Sequence, residues 1–143
     1  MKAALLVESL TGNTWQAAEN IASLLQEERW TITGLSKVRR PDYESIQEAD
    51  FVLVGTWVHG AFVVGQAPWA VNSIANLPAM RGKRAAAFCT FALDPGSSLD
   101  KLTGALGDTG AYVLGGLAMH RRHLDQHSEE FVNRLLDALD TTV

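Results

Sequence analysis

The sequence predicts an α/β fold in which five parallel strands form a doubly wound sheet with the strand order 2-1-3-4-5. Five short apolar segments alternate with helical patterns along the chain, which favours strand–helix–strand units. The central segments are apolar at nearly every residue, as strands covered on both faces are. Because such crossovers are right-handed, few strand orders remain, and in this order the winding reverses between the first and third strands. Ligands of this fold class bind at that reversal, outside the carboxyl ends of the strands.

The first 60 residues supply three strands and two helices. The apolar run at residues 3–7 predicts the first strand, and apolar side chains at three- and four-residue spacing predict a helix over 14–26. A second strand is expected at 30–35 and a short helix at 43–49. Residues 51–56 have the sequence Phe-Val-Leu-Val-Gly-Thr, a β-rich run that predicts a third strand buried on both faces.

The second half continues the alternation. A helix is expected at residues 68–75, which begin with a proline, because proline is tolerated in the first helical turn. The fourth strand is placed at 84–91, and a helix with a serine cap follows at 97–106. The fifth strand is placed at 112–119, and a last helix at 128–139 opens with Ser-Glu-Glu and has one apolar side.

The composition predicts one globular domain spanning residues 1–143, with 47% hydrophobic residues and no linker-like stretch. No apolar run approaches the ~18 residues of a membrane helix or resembles a signal sequence, so we expect a cytoplasmic monomer without a membrane partner. The net charge of −4 argues against nucleic acid as a partner. The single cysteine, Cys89, excludes an internal disulfide, and its apolar neighbours predict that it lies in a buried strand.

The loop after the first strand concentrates hydroxyls and small residues at the start of a helix. It consists of Ser9, Leu10, Thr11, Gly12, Asn13 and Thr14. Free backbone N–H groups and the positive end of the helix attract an anion there, and the hydroxyls add donors. Because the loop lacks the lysine of a P-loop, it favours a terminal phosphomonoester over a nucleoside triphosphate. The plain alternative is a capped helix after an ordinary loop.

The pattern Ser-x-Thr-Gly-Asn-Thr, with Ala18 four residues after the last threonine, resembles the phosphate loop of flavodoxins. This resemblance implies the flavodoxin-like three-layer sandwich, flavin mononucleotide (FMN) as the cofactor, and contact between residues 9–14 and its phosphate. It extends to the order of strands and helices along essentially the whole chain. The specific motifs cover only the first two loops.

The third strand ends in a second segment that resembles a flavodoxin loop. This segment contains Thr56, Trp57, Val58, His59 and Gly60. The resemblance implies that Trp57 covers one face of the flavin ring and that the following peptide turns its carbonyl toward the ring on reduction. The β-branched Val58 resists the left-handed backbone that a glycine would allow, so we expect altered flavin potentials. His59 could hydrogen-bond or tune the flavin, and a buried core position is the alternative for Trp57.

The loop after the fourth strand departs from the family pattern. Many flavodoxins have a tyrosine here that stacks on the outer face of the ring, whereas this chain offers only Phe91. Backbone donors of Thr90, Ala92 and Leu93 are expected to contact the pyrimidine edge of the flavin.

A basic segment with two arginines and two histidines, residues 120–123, follows the fifth strand on the same sheet edge. Arg121 and Arg122 could receive an anionic substrate or an acidic partner, and a solvated loop is the alternative. Metal binding by His120, His123 and His127 is not expected, because their spacing gives them no common face.

The sequence favours an FMN-binding electron carrier that shuttles electrons between redox partner proteins, a reductase and an acceptor, and needs no catalytic residue. Two alternatives stay open: a small FMN-dependent NAD(P)H or quinone oxidoreductase, and a flavodoxin-fold interaction or regulatory domain without flavin. A response-regulator receiver is disfavoured, because Glu8 stands alone after the first strand and the third strand ends in Thr56-Trp57 instead of an aspartate.

Overall fold

The computed structural model describes residues 1–58, 74, 77–78 and 80–141. The strands are β1 (Lys2–Val7), β2 (Thr31–Lys37), β3 (Phe51–Trp57), β4 (Arg84–Phe91) and β5 (Tyr112–His120). The helices bounded within this part of the chain are α1 (Asn13–Glu27), α2 (Tyr43–Glu48), α3 (Ser98–Gly107) and α4 (Leu124–Thr141).

The strands form one parallel sheet in the order β2-β1-β3-β4-β5, which confirms the predicted fold class and strand order. The pairing brings the carboxyl ends of the central strands to one edge. Val7 of β1 lies opposite Gly55 of β3, and Trp57 of β3 lies opposite Thr90 of β4. The loops that follow these strands therefore share the edge where the winding reverses.

Helices cover both faces of the sheet, which explains why the central strands are apolar throughout. On one face, Leu5, Leu53 and Phe88 pack with residues of α1 and α4. Leu6 and Val54 point to the other face and pack with residues of α2 and α3. Alternate residues of each strand belong to different cores because side chains of a strand point to opposite faces in turn.

The last helix differs from the prediction. It begins at Leu124, not at residue 128, because the His127 N–H donates to the His123 carbonyl at 2.9 Å and adds a turn. Ser128, expected to start the helix, is a fully buried residue inside it. The helix predicted at residues 68–75 lies outside the described residues apart from Ile74.

Across the described residues, no helix combines the length and the apolar composition that crossing a bilayer requires.

Candidate functional site

The loop between β1 and α1 is closed by its own polar groups. The Gly12 N–H donates to Ser9 Oγ at 3.0 Å, and Asn13 Nδ2 donates to Thr11 Oγ1 at 3.2 Å. Gly12 is the residue before α1 and has a left-handed backbone with φ of 96°, which favours glycine. No side chain caps α1 and no acidic residue lies in its first turn. The N–H groups at this helix start are therefore suited to an anion.

Thr14 connects the start of α1 to the end of β4. Its hydroxyl oxygen lies 2.7 Å from the hydroxyl oxygen of Thr90, and both residues are buried. Since only one hydroxyl of the pair donates in this bond, the other hydroxyl proton stays available for a ligand. This hydrogen bond links Thr14, in the first turn of α1, to β4, which pairs with β3 on the side opposite β1.

A cavity of about 250 Å³ lies at the carboxyl edge of the sheet. Its walls come from the first loop and from the ends of β3, β4 and β5. It is lined by Leu10, Thr11, Asn13, Thr14, Trp57, Val58, Thr90, Phe91, Ala92 and Arg121. The structure therefore brings together residues from all three segments that the sequence singled out.

Six other predicted site residues lie elsewhere or are not described. Ser9 and Gly12 line a neighbouring cavity of about 300 Å³ on the other side of the loop. Leu93 comes directly after the lining residue Ala92 in the sequence and is 64% exposed. Thr56 is fully buried in β3, and its hydroxyl has no hydrogen-bond partner among the described residues. The predicted contacts of His59 and Gly60 fall outside the described residues.

The backbone holds Val58 in place at the end of β3. Its N–H donates to the Thr90 carbonyl at 2.9 Å, which continues the β3–β4 pairing by one residue. The Val58 side chain is half-buried against the core on the α2 and α3 side of the sheet. Trp57, directly before it, is half-buried at the cavity wall. Both residues are thus fixed in the cavity wall by strand pairing and packing.

Arg121 lines the cavity, whereas the sequence placed it only on the same sheet edge, as a candidate contact for an anionic substrate or an acidic partner. The Arg121 N–H donates to the Phe91 carbonyl at 2.9 Å, which holds the residue after β5 against the end of β4. Arg121 is exposed at the cavity mouth. The available signal was its position one residue past a strand on the ligand-binding edge.

The histidines after β5 form a row, contrary to the expectation that they share no face. Ring centroids lie 5.2 Å apart for Phe91 and His120, 5.5 Å for His120 and His123, and 5.9 Å for His123 and His127. Nδ1 of His127 accepts the His120 N–H at 2.9 Å, and Nδ1 of His120 accepts the Arg122 N–H at 3.1 Å. These bonds occupy two of the ring nitrogens and hold the turn that carries Arg121.

Two further ionisable groups near the site are the carboxylate of Glu8, which is bonded to Arg39, and the thiol of Cys89, which is buried. Glu8 is buried, and its Oε1 accepts the Arg39 N–H at 2.9 Å and lies 3.7 Å from Arg39 Nε. Burial raises the pKa of the Cys89 thiol to about 12, so the thiol is protonated at neutral pH. Neither group offers a free carboxylate or thiolate to the cavity.

The donor set fits a phosphate monoester that carries a flat ring. The loop and helix start supply neutral donors, and Trp57 and Phe91 give the cavity aromatic walls. A parallel sheet of this order, with such a loop and cavity at its reversal, defines a doubly wound protein of the mononucleotide-binding class.

Comparison with known proteins narrows this class. A family profile described as a flavodoxin domain matches residues 4–105. The chain belongs to the flavodoxin family, whose members bind FMN. No curated protein matches it by sequence.

Solved flavodoxin structures share the fold. A mutant of the flavodoxin from Pseudomonas aeruginosa is 19% identical, with a TM-score of 0.73, 98% of this chain covered and 99% of that one. Oxidised flavodoxin 2 from Bacillus cereus is 19% identical, with a TM-score of 0.70 and coverage of 94% and 99%. Two-electron reduced Megasphaera elsdenii flavodoxin is 17% identical, with a TM-score of 0.67 and coverage of 90% and 98%.

Proposed function

We propose that this chain binds FMN in the cavity at the carboxyl edge of the sheet and carries electrons between redox partner proteins. One observation supports this most directly: the first loop and the ends of β3 and β4 line a single cavity where the winding of the sheet reverses. The family relationship supports the same cofactor.

In this proposal the cavity has two parts with different tasks. The phosphate end consists of the first loop, of which Leu10, Thr11, Asn13 and Thr14 line the cavity, together with Thr90. Its backbone N–H groups and the hydroxyls of Thr11 and the Thr14–Thr90 pair hold the phosphate.

The ring end consists of Trp57, Val58, Phe91, Ala92 and Arg121. Trp57 and Phe91 would stack against the flavin ring, and backbone N–H groups of Ala92 and Leu93 would hydrogen-bond its polar edge. FMN supplies the redox chemistry, so the protein orients the cofactor and sets its electrostatic surroundings without a dedicated acid or base. We infer that the carrier works as a cytoplasmic monomer.

A second candidate function is that of a small FMN-dependent NAD(P)H or quinone oxidoreductase. Arg121 at the cavity mouth favours this candidate, because a cation beside the flavin can receive an anionic substrate.

The first experiment measures FMN uptake by the apoprotein from fluorescence quenching and the visible spectrum. We expect micromolar or tighter binding, and riboflavin, which lacks the phosphate, should bind at least about tenfold more weakly. Failure to take up FMN at micromolar concentrations would falsify the proposal and favour a domain that works without flavin.

The second experiment separates carrier from enzyme. The holoprotein is mixed with NADPH or a quinol, and flavin reduction is followed in the stopped flow. A carrier is reduced slowly by these compounds and passes through two separate one-electron steps in a redox titration. Rapid reduction with saturation kinetics would instead establish the oxidoreductase.

A further inference from the structure

The carboxyl edge of the sheet differs in charge from the rest of the chain. The described residues that follow the five strands, 8–12, 38–42, 58, 92–97 and 121–123, contain four arginines and three carboxylates. The whole chain has a net charge of −4. The excess of negative charge therefore belongs to other parts of the molecule.

Two arginines at the cavity mouth face solvent and are not engaged in ion pairs among the described residues. Arg121 and Arg122 are exposed and form no ion pair within the part of the chain that the structure describes. The carboxylates of the neighbouring segments are held by neutral donors and not by these arginines: Asp94 accepts the Gly96 N–H at 2.9 Å, and Asp125 accepts from Asn20 Nδ2 at 3.1 Å. On its β5 side the cavity mouth thus carries two guanidinium groups, those of Arg121 and Arg122, that no ion pair engages among the described residues.

Two exposed leucines flank the same cavity. Leu10 lines it from the first loop and is 68% exposed, and Leu93 directly follows the lining residue Ala92 and is 64% exposed. Exposed apolar side chains beside a ligand cavity, with cations around them, are typical of a surface that another protein covers.

We propose that Leu10, Leu93, Arg121 and Arg122 form a docking face for a redox partner whose own contact surface is acidic around an apolar centre. This proposal rests on the proposed FMN-binding function. At about 0.1 M salt charges are screened beyond roughly 10 Å, so a partner at this face is affected more by the two unpaired arginines than by the negative charge elsewhere on the molecule. The partner's carboxylates would pair with the arginines while its apolar centre covers the leucines and brings the redox groups together.

The test uses two small one-electron oxidants of opposite charge. The FMN of the holoprotein is fully reduced and then mixed in the stopped flow with ferricyanide or with hexaammineruthenium(III), over a range of salt concentrations. Two equivalents of either oxidant remove the two electrons of the flavin. We expect the ferricyanide rate to fall as salt rises and the ruthenium rate to increase.

Charge variants locate the effect. The double variant R121Q/R122Q should lower the ferricyanide rate at low salt by about tenfold and flatten its salt dependence. Arg29→Asn removes one positive charge at the far end of α1, where φ of 66° suits asparagine, and should leave both rates unchanged.

The single variants separate a protein docking face from a small-anion site. Comparable effects of R121Q and R122Q support a shared face. If R121Q alone accounts for the whole effect, the cavity holds a single-cation site for a small substrate and the docking face is rejected. A ferricyanide rate that rises with salt also rejects it. Absence of FMN uptake by the wild-type chain rejects the proposed function as well, so the two failures are distinguishable.

Discussion

The two parts of the cavity are built in different ways. The phosphate end is encoded almost entirely in six consecutive residues and is neutral, with Ser9 and Thr11 accepting hydrogen bonds from their own loop. The ring end comes from the ends of three different strands, and Arg121 at its mouth is charged. Local sequence thus determines the phosphate end, whereas the pairing of strands determines the ring end.

Because of this difference, we expect the phosphate end to determine the affinity for FMN and the ring end to determine its reduction potential. In the proposed complex, neutral hydroxyls and amides at the phosphate end would contact a group whose charge does not change on reduction, so we expect them to contribute affinity without affecting the potential. The ring end contacts the group that changes charge, so its electrostatics act on the potential. Variants of the two ends should therefore give different signatures.

The largest effect is expected for Thr14→Val at the phosphate end. The substitution keeps the shape of the side chain but removes a donor to a charged phosphate, which weakens FMN binding by roughly 10- to 100-fold. Oxidised and reduced FMN should be affected equally, so the potential stays unchanged. Fluorescence titration of the apoprotein gives the affinity, and a redox titration gives the potential.

Thr31→Val is the matched control, because Thr31 is an exposed threonine at the start of β2, at the opposite edge of the sheet. It should leave FMN binding unaltered. Equal affinities of the Thr14→Val variant and the wild type would contradict the assignment of the phosphate end.

A smaller effect is expected for Gly12→Ala. An added Cβ meets no atom within 4 Å at Gly12, so the cost comes from the left-handed backbone with φ of 96°. We expect a loss of about 1 kcal/mol in folding free energy and about tenfold weaker FMN binding. Urea unfolding and FMN titration measure the two quantities.

Gly82 provides the control for this backbone effect. It has φ of 81°, and an added Cβ likewise has nothing within 4 Å, but it precedes β4 at the edge away from the cavity. Gly82→Ala should lose similar stability and keep full FMN affinity. If both variants lose FMN affinity to the same extent, general destabilisation explains the result and the loop has no special part in it.

Local pattern predicted the strands and the loop at residues 9–14, and the right-handed crossover rule predicted the strand order. The sequence placed Arg121 on the ligand-binding edge, but its place in the cavity wall depends on strand pairing that no local pattern showed. The β4–β5 pairing runs from Ala85 opposite Val113 to Ala86 opposite Gly115, which leaves Leu114 as an extra residue. A shift of one residue turns every later side chain to the other face, so this bulge sets the face on which Arg121 lies.

The charge at the ring end gives the third prediction. Arg121→Gln should weaken binding of reduced FMN by about tenfold relative to oxidised FMN, which corresponds to a lowering of the two-electron potential by about 30 mV. The cause is the loss of a cation near a ring that gains negative charge on reduction. Arg122→Gln removes the same charge outside the cavity lining and should shift the potential less. Equal shifts in the two variants would argue for a diffuse field.

The smallest effect at neutral pH is expected for Cys89. This residue precedes Thr90 in β4, and its side chain packs in the core on the face of the sheet that α2 and α3 cover. Burial raises its pKa from 9.0 to about 12, so above pH 9 the unfolded chain loses this proton while the folded chain keeps it. The stability that protonation contributes is therefore complete below pH 9 and decreases toward pH 12, by about 1 kcal/mol at pH 10. Cys89→Ala should lack this component, and urea unfolding of both proteins from pH 7 to 10 isolates it from other titrating groups. If the free energies of unfolding of the two proteins change in parallel with pH, the thiol is accessible to solvent and can react as a thiolate.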